Sequence, residues 1–294
     1  GGGGYIRAFG SPCSVLTGGC ANSISNSYSS FIGGGIYNCI ANFDSNRCTS
    51  NTIAGGSNNR ITCTNTGAIL GGVINCIVCG PCGTIGGGRG NCIRLNCQST
   101  IGGGCGNWIY GCNISCDQHN SILGGKCNRI CGGCAQKFGN TIVGGCCNRI
   151  CSATGVNTSC NIIGGGTNNC ICTSGKSVIG GGSFNRICCN SNDSAILGGY
   201  NNSICGKNYS FVLGCLLSAT SGCTTYMNNA TVACHLQVGG TTTLNTTTGR
   251  IDATNDVISF STSDKRLKCN IKPIENSLCK IIGVKGYSFD WKEL

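Results

Sequence analysis

The stretch TIGGGRGNCI, residues 84–93, recurs along the chain and decides its fold. FIGGGIYNCI at 31–40 and VIGGGSFNRI at 178–187 repeat the same order of residue types. An apolar anchor is followed by three small or apolar residues rich in glycine, two variable positions, Asn, one variable position and Ile. A short repeat of this kind indicates a stacked architecture in which each unit packs on the next one.

The first anchor falls at Leu16, Ile32, Ile53, Ile69, Ile85, Ile101, Ile122, Ile142, Ile163, Ile179 and Ile196. Six residues after each anchor stands an asparagine: Asn22, Asn38, Asn59, Asn75, Asn91, Asn107, Asn128, Asn148, Asn169, Asn185 and Asn202. Eight residues after each anchor stands Ile: Ile24, Ile40, Ile61, Ile77, Ile93, Ile109, Ile130, Ile150, Ile171, Ile187 and Ile204. A weaker twelfth copy starts at Val212 and loses the pattern at Cys215.

The spacing of the anchors predicts an all-β solenoid, or β-roll, of about eleven coils. Most anchors are 16 or 17 residues apart and the others 20 or 21, which is too short for a helical repeat. Two short strands and two turns fit this length, and glycine permits the positive φ that tight turns need. Identical asparagines in successive coils are expected to stack in a ladder, amide to amide. At about 4.8 Å per strand, eleven coils rise roughly 50 Å.

The core of such a coil is thin, because one chain supplies only two recurrent apolar anchors per coil. Several chains side by side would have a larger core, so the sequence favours an oligomer. The repeats of residues 12–216 also resemble the head repeats of trimeric autotransporter adhesins, although those heads favour alanine and serine where this chain has Ile, Gly, Asn and Cys. That resemblance implies a homotrimer.

The chain contains 30 cysteines, and this abundance is typical of a disulfide scaffold in an oxidising setting. Stacked positions lie about 4.8 Å apart, inside the Cα window for disulfides. We therefore expect disulfides between coils or between chains, with free thiols in a small apolar role as the close alternative. Metal binding ranks third, because CxxC pairs occur without a second pair at finger-like spacing, and no metal site is predicted. The cysteines concerned stand nine residues after five successive anchors: Cys131, Cys151, Cys172, Cys188 and Cys205.

The body of the chain lacks the residues of an enzyme that acts on external substrates. Before Ser263 there are five Asp and no Glu, so paired carboxylates are not expected. His119 and His235 are the two histidines, and the GGG runs lack the Lys-Ser/Thr of a phosphate loop. We expect no cofactor. Basic residues are scattered singly, which disfavours nucleic acid and leaves an acidic glycan or lipid surface as an alternative to a plain solvated surface.

Residues 219–262 change to Thr-rich strands broken by Gly and Asn, and they resemble the β-shafts of viral tail fibres. No apolar run reaches the ~20 residues of a membrane helix, so membrane insertion is not expected. Residues 263–294, SDKRLKCNIKPIENSLCKIIGVKGYSFDWKEL, then bring a dense cluster of charges.

The order Ser-Asp-x-Arg-Leu-Lys, Asn-Ile and a final Tyr-x-Phe-x-Trp is similar to the start of the intramolecular chaperone domain of endosialidase tailspikes. That resemblance implies a domain that aligns three chains and then cuts itself off. It makes Ser263 the nucleophile and Lys268 its base, with the scissile bond between Thr262 and Ser263. A Lys can activate a Ser hydroxyl when burial or neighbouring cations lower the Lys pKa. The alternative is that these residues only hold the trimer together.

Together these patterns predict three regions: a solenoid over 1–218, a β-shaft over 219–262 and a short α+β start of a chaperone domain over 263–294. The expected function is that of a structural fibre or spike on the surface of a virus or phage particle, attached to a host surface. Its partners would be other copies of itself, other virion or tail proteins, and a host glycan or receptor. Enzymatic activity would amount at most to one self-cleavage. The alternative is a trimeric adhesin on a cell surface.

Overall fold

Each repeat unit folds into one coil of a parallel β-solenoid, whose two short strands carry the two apolar anchors. The computed structural model describes residues 7–42, 48–111, 119–132, 139–151, 159–228 and 282. The predicted all-β solenoid is confirmed, with about twelve coils where the repeat count predicted eleven. The β-branched anchors suit these strands, because branched side chains pack well on a pleated surface.

The strands are two or three residues long. In chain order they are β1 Arg7–Phe9, β2 Val15–Leu16, β3 Ser23–Ser25, β4 Ser27–Tyr28, β5 Phe31–Ile32, β6 Cys39–Ala41, β7 Cys48–Thr49, β8 Thr52–Ile53, β9 Arg60–Thr62, β10 Ala68–Ile69, β11 Cys76–Val78, β12 Thr84–Ile85, β13 Cys92–Arg94, β14 Thr100–Ile101, β15 Trp108–Tyr110, β16 Ser121–Ile122, β17 Arg129–Cys131, β18 Thr141–Ile142, β19 Arg149–Cys151, β20 Ile162–Ile163, β21 Cys170–Cys172, β22 Val178–Ile179, β23 Arg186–Cys188, β24 Ala195–Ile196, β25 Ser203–Cys205, β26 Phe211–Leu213 and β27 Thr225–Met227.

Two long sheets run the length of the solenoid. The first sheet has the order β1-β3-β6-β9-β11-β13-β15-β17-β19-β21-β23-β25, and the second has the order β2-β5-β8-β10-β12-β14-β16-β18-β20-β22-β24-β26-β27. Strands β4 and β7 form a separate pair. All pairings are parallel, because each coil returns the chain to the same side of the molecule before it rises to the next level.

The register of the sheets follows the sequence repeat. In the second sheet Ile85 pairs with Ile69 on one side and Ile101 on the other. In the first sheet Ile93 pairs with Ile77 and Ile109 in the same way. The prediction that each anchor stacks on its counterpart in the next coil is therefore confirmed.

The core consists of these two columns of isoleucine. The column members are between 0 and 1% exposed within a single chain. Burial of one such side chain contributes about 1.5–3 kcal/mol, so the columns supply a regular stabilisation along the rod. Because one chain already encloses them, the thin core does not by itself require a neighbouring chain, in contrast to the expectation from the anchor count.

One corner of each coil depends on glycine. In the coil of Ile101, Gly104 has a φ of 89°, a conformation that L residues rarely adopt. A Cβ at this position would overlap the carbonyl oxygen of Gly125 in the next coil and lie 2.6 Å from Nδ2 of Asn107. The neighbouring Gly103 has open space around its missing Cβ. Of these two glycines, only Gly104, the last of the GGG run, is required by the close stacking of the coils.

The chain divides into two compact units, Gly1–Thr231 and Val232–Leu294. Strand β27 pairs with β26 through Phe211 and Thr225, so the second sheet continues past residue 218 into the segment that the sequence assigned to the Thr-rich shaft. Most of that shaft and nearly all of 263–294 lie outside the described residues, and the predicted boundaries there stay predictions. Among the residues that the structure describes, no helix is long and apolar enough to cross a membrane.

Candidate functional site

The repeated asparagines occupy one buried column beside the glycine corner. Each one is between 0 and 1% exposed. Asn107 shows the pattern: its main-chain N–H donates to Oδ1 of Asn91 (2.9 Å), and its Nδ2 donates to the carbonyl oxygens of Gly103 (2.8 Å) and Gly125 (3.0 Å). Its own Oδ1 accepts from the N–H of Asn128 (3.0 Å). All polar groups of the amide are thus satisfied, which a buried polar group requires.

The bonds of this column differ from the amide-to-amide ladder that the sequence predicted. They run from the side chain of one coil to the backbone of the same coil and of its neighbours. Only at the end of the column does Nδ2 of Asn202 also donate to Oδ1 of Asn185, at 3.0 Å. The glycine corner places two carbonyl oxygens within hydrogen-bonding distance of Nδ2, which therefore bonds to the backbone. The column is a structural element that joins successive coils.

The five cysteines predicted to form disulfides are free thiols. Cys151 pairs in register with Cys131 on one side and Cys172 on the other, and Cys188 pairs with Cys205. In-register parallel strands hold the Cα and Cβ atoms of partner residues at the same spacing of about 4.8 Å, whereas a disulfide needs Cβ atoms about 3.5–4.5 Å apart. The Cα distance alone made a bond between coils look feasible, and the structure corrects that part of the prediction, whereas disulfides between chains stay a prediction.

The thiols interact with one another instead. Hydrogen bonding with the Cys151 thiol lowers the pKa of Cys131 to about 6 and that of Cys172 to about 3. The same contacts, together with burial, raise the pKa of Cys151. The guanidinium group of Arg149 adds to the lowering for both flanking thiols. Within this row, ionisation is therefore favoured at Cys131 and Cys172 and disfavoured at Cys151.

Aromatic and basic side chains meet on the outer side of the first sheet. Trp108 and Tyr110 flank the buried Ile109 on β15, and Trp108 is 48% exposed. The guanidinium carbon of Arg94 lies 5.9 Å from the centroid of the Tyr110 ring, within the range of a cation–π contact. A groove of about 260 Å³, called here the Trp108 groove, is lined by Cys76, Val78, Cys92, Arg94, Trp108, Ile109, Tyr110 and Arg129.

Arginines recur along the outer side of the first sheet. Its described strands contain no Asp or Glu, while five of them carry an outward arginine besides Arg7 near the start. The described strands of this sheet therefore carry several guanidinium groups and no carboxylate. The arginines are Arg60, Arg94, Arg129, Arg149 and Arg186.

The outer side of the second sheet has the opposite character. No ionisable residue except Tyr226 occurs in its described strands. Large apolar side chains between 37 and 58% exposed are spread along it, and this surface is called here the apolar face. Exposed apolar surfaces of this extent mark interaction sites on soluble proteins. Its members are Val15, Phe31, Leu70, Leu123, Val143, Ile162, Leu197, Phe211 and Leu213.

Sequence reasoning missed both surfaces. The outward positions of the first sheet stand seven and nine residues after each anchor, one on either side of the buried Ile. Placing the sequence on that register would have set Arg94, Trp108 and Arg129 on three neighbouring strands. The pattern was overlooked because aromatic residues and arginines are far apart along the chain and become neighbours only through the repeat.

The residues proposed for self-cleavage, Ser263 and Lys268, lie outside the described residues, as does the Thr262–Ser263 bond. Residues 263–293 match the family model described as Chaperone of endosialidase. The match begins at Ser263, the position that the sequence motif marked as the start of the domain. No curated protein matches the chain.

Proposed function

We propose that the protein is a trimeric fibre or spike of a virus or phage particle, whose solenoid contacts a host surface and whose last segment is a folding chaperone. The observation that carries this proposal is the match of residues 263–293 to the endosialidase chaperone family in a chain whose other described part is a β-solenoid. The same match favours the fibre over a cell-surface adhesin, because the likeness to adhesins rests on the solenoid repeats alone. A place on the virion surface follows from the proposal.

In the proposed trimer the apolar face is the contact between copies. Its described strands carry no Asp, Glu, Lys, Arg or His, and it lies opposite the basic sheet, so that association buries apolar side chains and leaves the arginines in solvent. Sedimentation of the wild-type protein is expected to give three chains per particle. A stable monomer would exclude the trimer.

The assignment of the interface is tested by one charge on this face. Leu123→Lys is expected to weaken association, because it forces an ammonium group into an apolar contact. The control is Thr167→Lys, an exposed position equivalent to Arg89 and Lys126 in other coils. Equal weakening by both variants would place the interface elsewhere.

Self-cleavage is proposed at the bond between Thr262 and Ser263. The Ser263 hydroxyl attacks the Thr262 carbonyl while neutral Lys268 accepts the hydroxyl proton, and the Ser263 amide nitrogen leaves as an amine. Water then hydrolyses the resulting ester, so that one water molecule is consumed. Intact mass of the full-length gene product is expected to show two fragments for the wild type and one uncut chain for Ser263→Ala. Ser261→Ala is the matched control and is expected to be cut, and an uncut wild type would contradict the proposal.

The Trp108 groove is the proposed contact for an acidic saccharide. An exposed indole offers a flat apolar surface to a sugar ring, and arginines bind carboxylate or sulfate groups through paired N–H donors. Arg94 and Arg129 lie in the groove on either side of Trp108. Acidic oligosaccharides are therefore expected to bind and neutral ones of the same length to bind weakly.

The test is an oligosaccharide binding assay with single substitutions in the groove. Trp108→Ala is expected to weaken binding at least about tenfold, which corresponds to about 1.4 kcal/mol. The matched control is Phe184→Ala, another half-exposed aromatic residue outside the groove. Binding that is unchanged in Trp108→Ala would exclude this surface.

A further inference from the structure

Three thiols converge near the end of the first sheet. The Sγ atoms of Cys188, Cys189 and Cys205 all lie within 4.8 Å of one another. Those of Cys188 and Cys189 are 3.6 Å apart. Cys188 is buried, while the other two thiols are exposed to solvent. The protein therefore covers the cluster at Cys188, and solvent reaches it at Cys189 and Cys205.

The fold brings the three thiols together in two ways. Cys188 on β23 and Cys205 on β25 are register partners in adjacent strands, so their side chains lie next to each other on the same side of the sheet. Neighbours along a strand normally point to opposite faces, but Cys189 is the corner residue after β23 and has a φ of 58°. This left-handed turn brings its thiol back towards that of Cys188.

The backbone around the cluster is held by hydrogen bonds. The N–H of Gly206 donates to the carbonyl oxygen of Cys188 at 3.2 Å. The N–H of Cys189 donates to Oγ1 of Thr173 at 3.2 Å, which ties the corner to the preceding coil. The thiols therefore sit on a fixed frame, and a ligand does not have to order the chain before it binds.

Two basic side chains, those of Arg186 and Lys207, lie near the open side of the cluster. A cation that binds sulfur would remove the protons of all three thiols, because only thiolates are metal ligands.

We propose that Cys188, Cys189 and Cys205 form a binding site for a thiophilic monovalent metal ion, Cu(I), in trigonal coordination by three thiolates. Sulfur-only ligands select Cu(I) and zinc among the biological metals, and structural zinc takes four protein ligands where this cluster offers three. A metal about 2.3 Å from each sulfur holds the sulfurs about 4 Å apart, close to the separation already present. Binding forms three S–Cu bonds and releases up to three protons to solvent.

The charge around the site is balanced in the metal-bound form. Three thiolates and one Cu(I) carry a net charge of −2, and the nearby Arg186 and Lys207 together carry +2. A divalent ion would leave an excess of positive charge beside these two side chains. The electrostatics and the number of sulfur ligands therefore favour the same ion.

The test is the retention of Cu(I) by the full chain, under anaerobic conditions, against a competing Cu(I) chelator. Wild type is expected to keep one Cu(I) per chain, with X-ray absorption showing three sulfur ligands. Cys189→Asn is the first variant, because Asn26 occupies the equivalent left-handed corner with a φ of 50° and the fold is expected to be preserved. Cys205→Ser, at an exposed position, is the second. Each is expected to lower the affinity at least about 100-fold, more than the loss of an outer-shell contact.

The matched control is the double variant Cys146→Ser/Cys147→Ser. These two thiols are also adjacent in sequence and 3.5 Å apart, but they are not part of a group of three within mutual reach among the described residues. The control is expected to keep its Cu(I). Equal loss in the control and in Cys189→Asn, failure of wild type to retain Cu(I), or retention of Zn²⁺ in preference to Cu(I) would each overturn the proposal.

Discussion

Replacement of Gly104 by alanine tests the close stacking of the coils most directly. The added methyl group overlaps the carbonyl oxygen of Gly125 in the next coil. This oxygen accepts two hydrogen bonds, from the N–H of Cys105 at 2.9 Å and from Nδ2 of Asn107 at 3.0 Å. The coils must move apart to relieve the overlap, and both bonds are lost or lengthened.

The expected cost follows from these contacts. The left-handed conformation at a φ of 89° costs an L residue about 1–2 kcal/mol. Each buried polar group left without its partner costs about 1–3 kcal/mol. We therefore expect Gly104→Ala to lower the free energy of unfolding by about 3–8 kcal/mol. The loss is measured as a shift of the urea midpoint at fixed protein concentration, followed by far-UV circular dichroism.

Two neighbouring glycines serve as controls. Gly103→Ala places its methyl group in open space and is expected to change stability by less than about 0.5 kcal/mol. Gly106→Ala adds a methyl group 3.6 Å from Sγ of Cys127 at a φ of 64°, so it isolates the conformational cost from the overlap. If Gly104→Ala is no more damaging than Gly106→Ala, the carbonyl contact does not limit the spacing of the coils.

Three further predictions concern the columns and the thiols. Asn128→Ala removes the acceptor of the Asn148 N–H and two hydrogen bonds to glycine carbonyl oxygens. We expect the free energy of unfolding in urea to fall by about 3 kcal/mol or more. A change below about 1 kcal/mol would show that water replaces the amide. Ile130→Ala is expected to cost about 2–5 kcal/mol and Ile130→Val about 0.5–1.5 kcal/mol in the same assay, and similar values for both would contradict tight packing of the column. Hydrogen bonding with Cys92 lowers the pKa of Cys76 from 9.0 to about 7, so its thiolate forms as pH rises through 7. Alkylation of Cys76, followed by peptide mass spectrometry, is expected to rise through this range, and Cys92→Ala should move the rise to higher pH; an unchanged profile would rule out the pairing.

The sequence predicts those parts of the molecule that depend on periodicity alone. Burial of Ile85 or Ile93 follows from the repeat because each coil must place the same residue at the same point. The glycine corner follows as well, since positive φ favours glycine. The hydrogen bonds of Asn107 could not be predicted in the same way. They depend on the direction of the glycine carbonyl groups at the corner, and the spacing of the repeat does not show that direction.

The cysteines show the same limit. Register places Cys131 beside Cys151 correctly, but whether a bond forms depends on the direction of the Cβ atoms, and in a parallel in-register pair these directions do not converge. The cluster around Cys189 depends on a single left-handed residue at the end of a strand. A repeat pattern gives the position of each residue in the coil, whereas disulfides and metal sites also depend on the orientation of the side chains.

The stacking of equivalent coils also determines how the length of the solenoid can change. Each described coil pairs only with the coil before it and the coil after it. Gain or loss of one sixteen-residue unit would therefore change the length by about 4.8 Å and restore the same contacts at the new junction. Duplication or deletion of repeats in the gene can therefore change the length of the solenoid in equal steps. Each coil keeps the same buried isoleucines and asparagine, so no new core has to evolve.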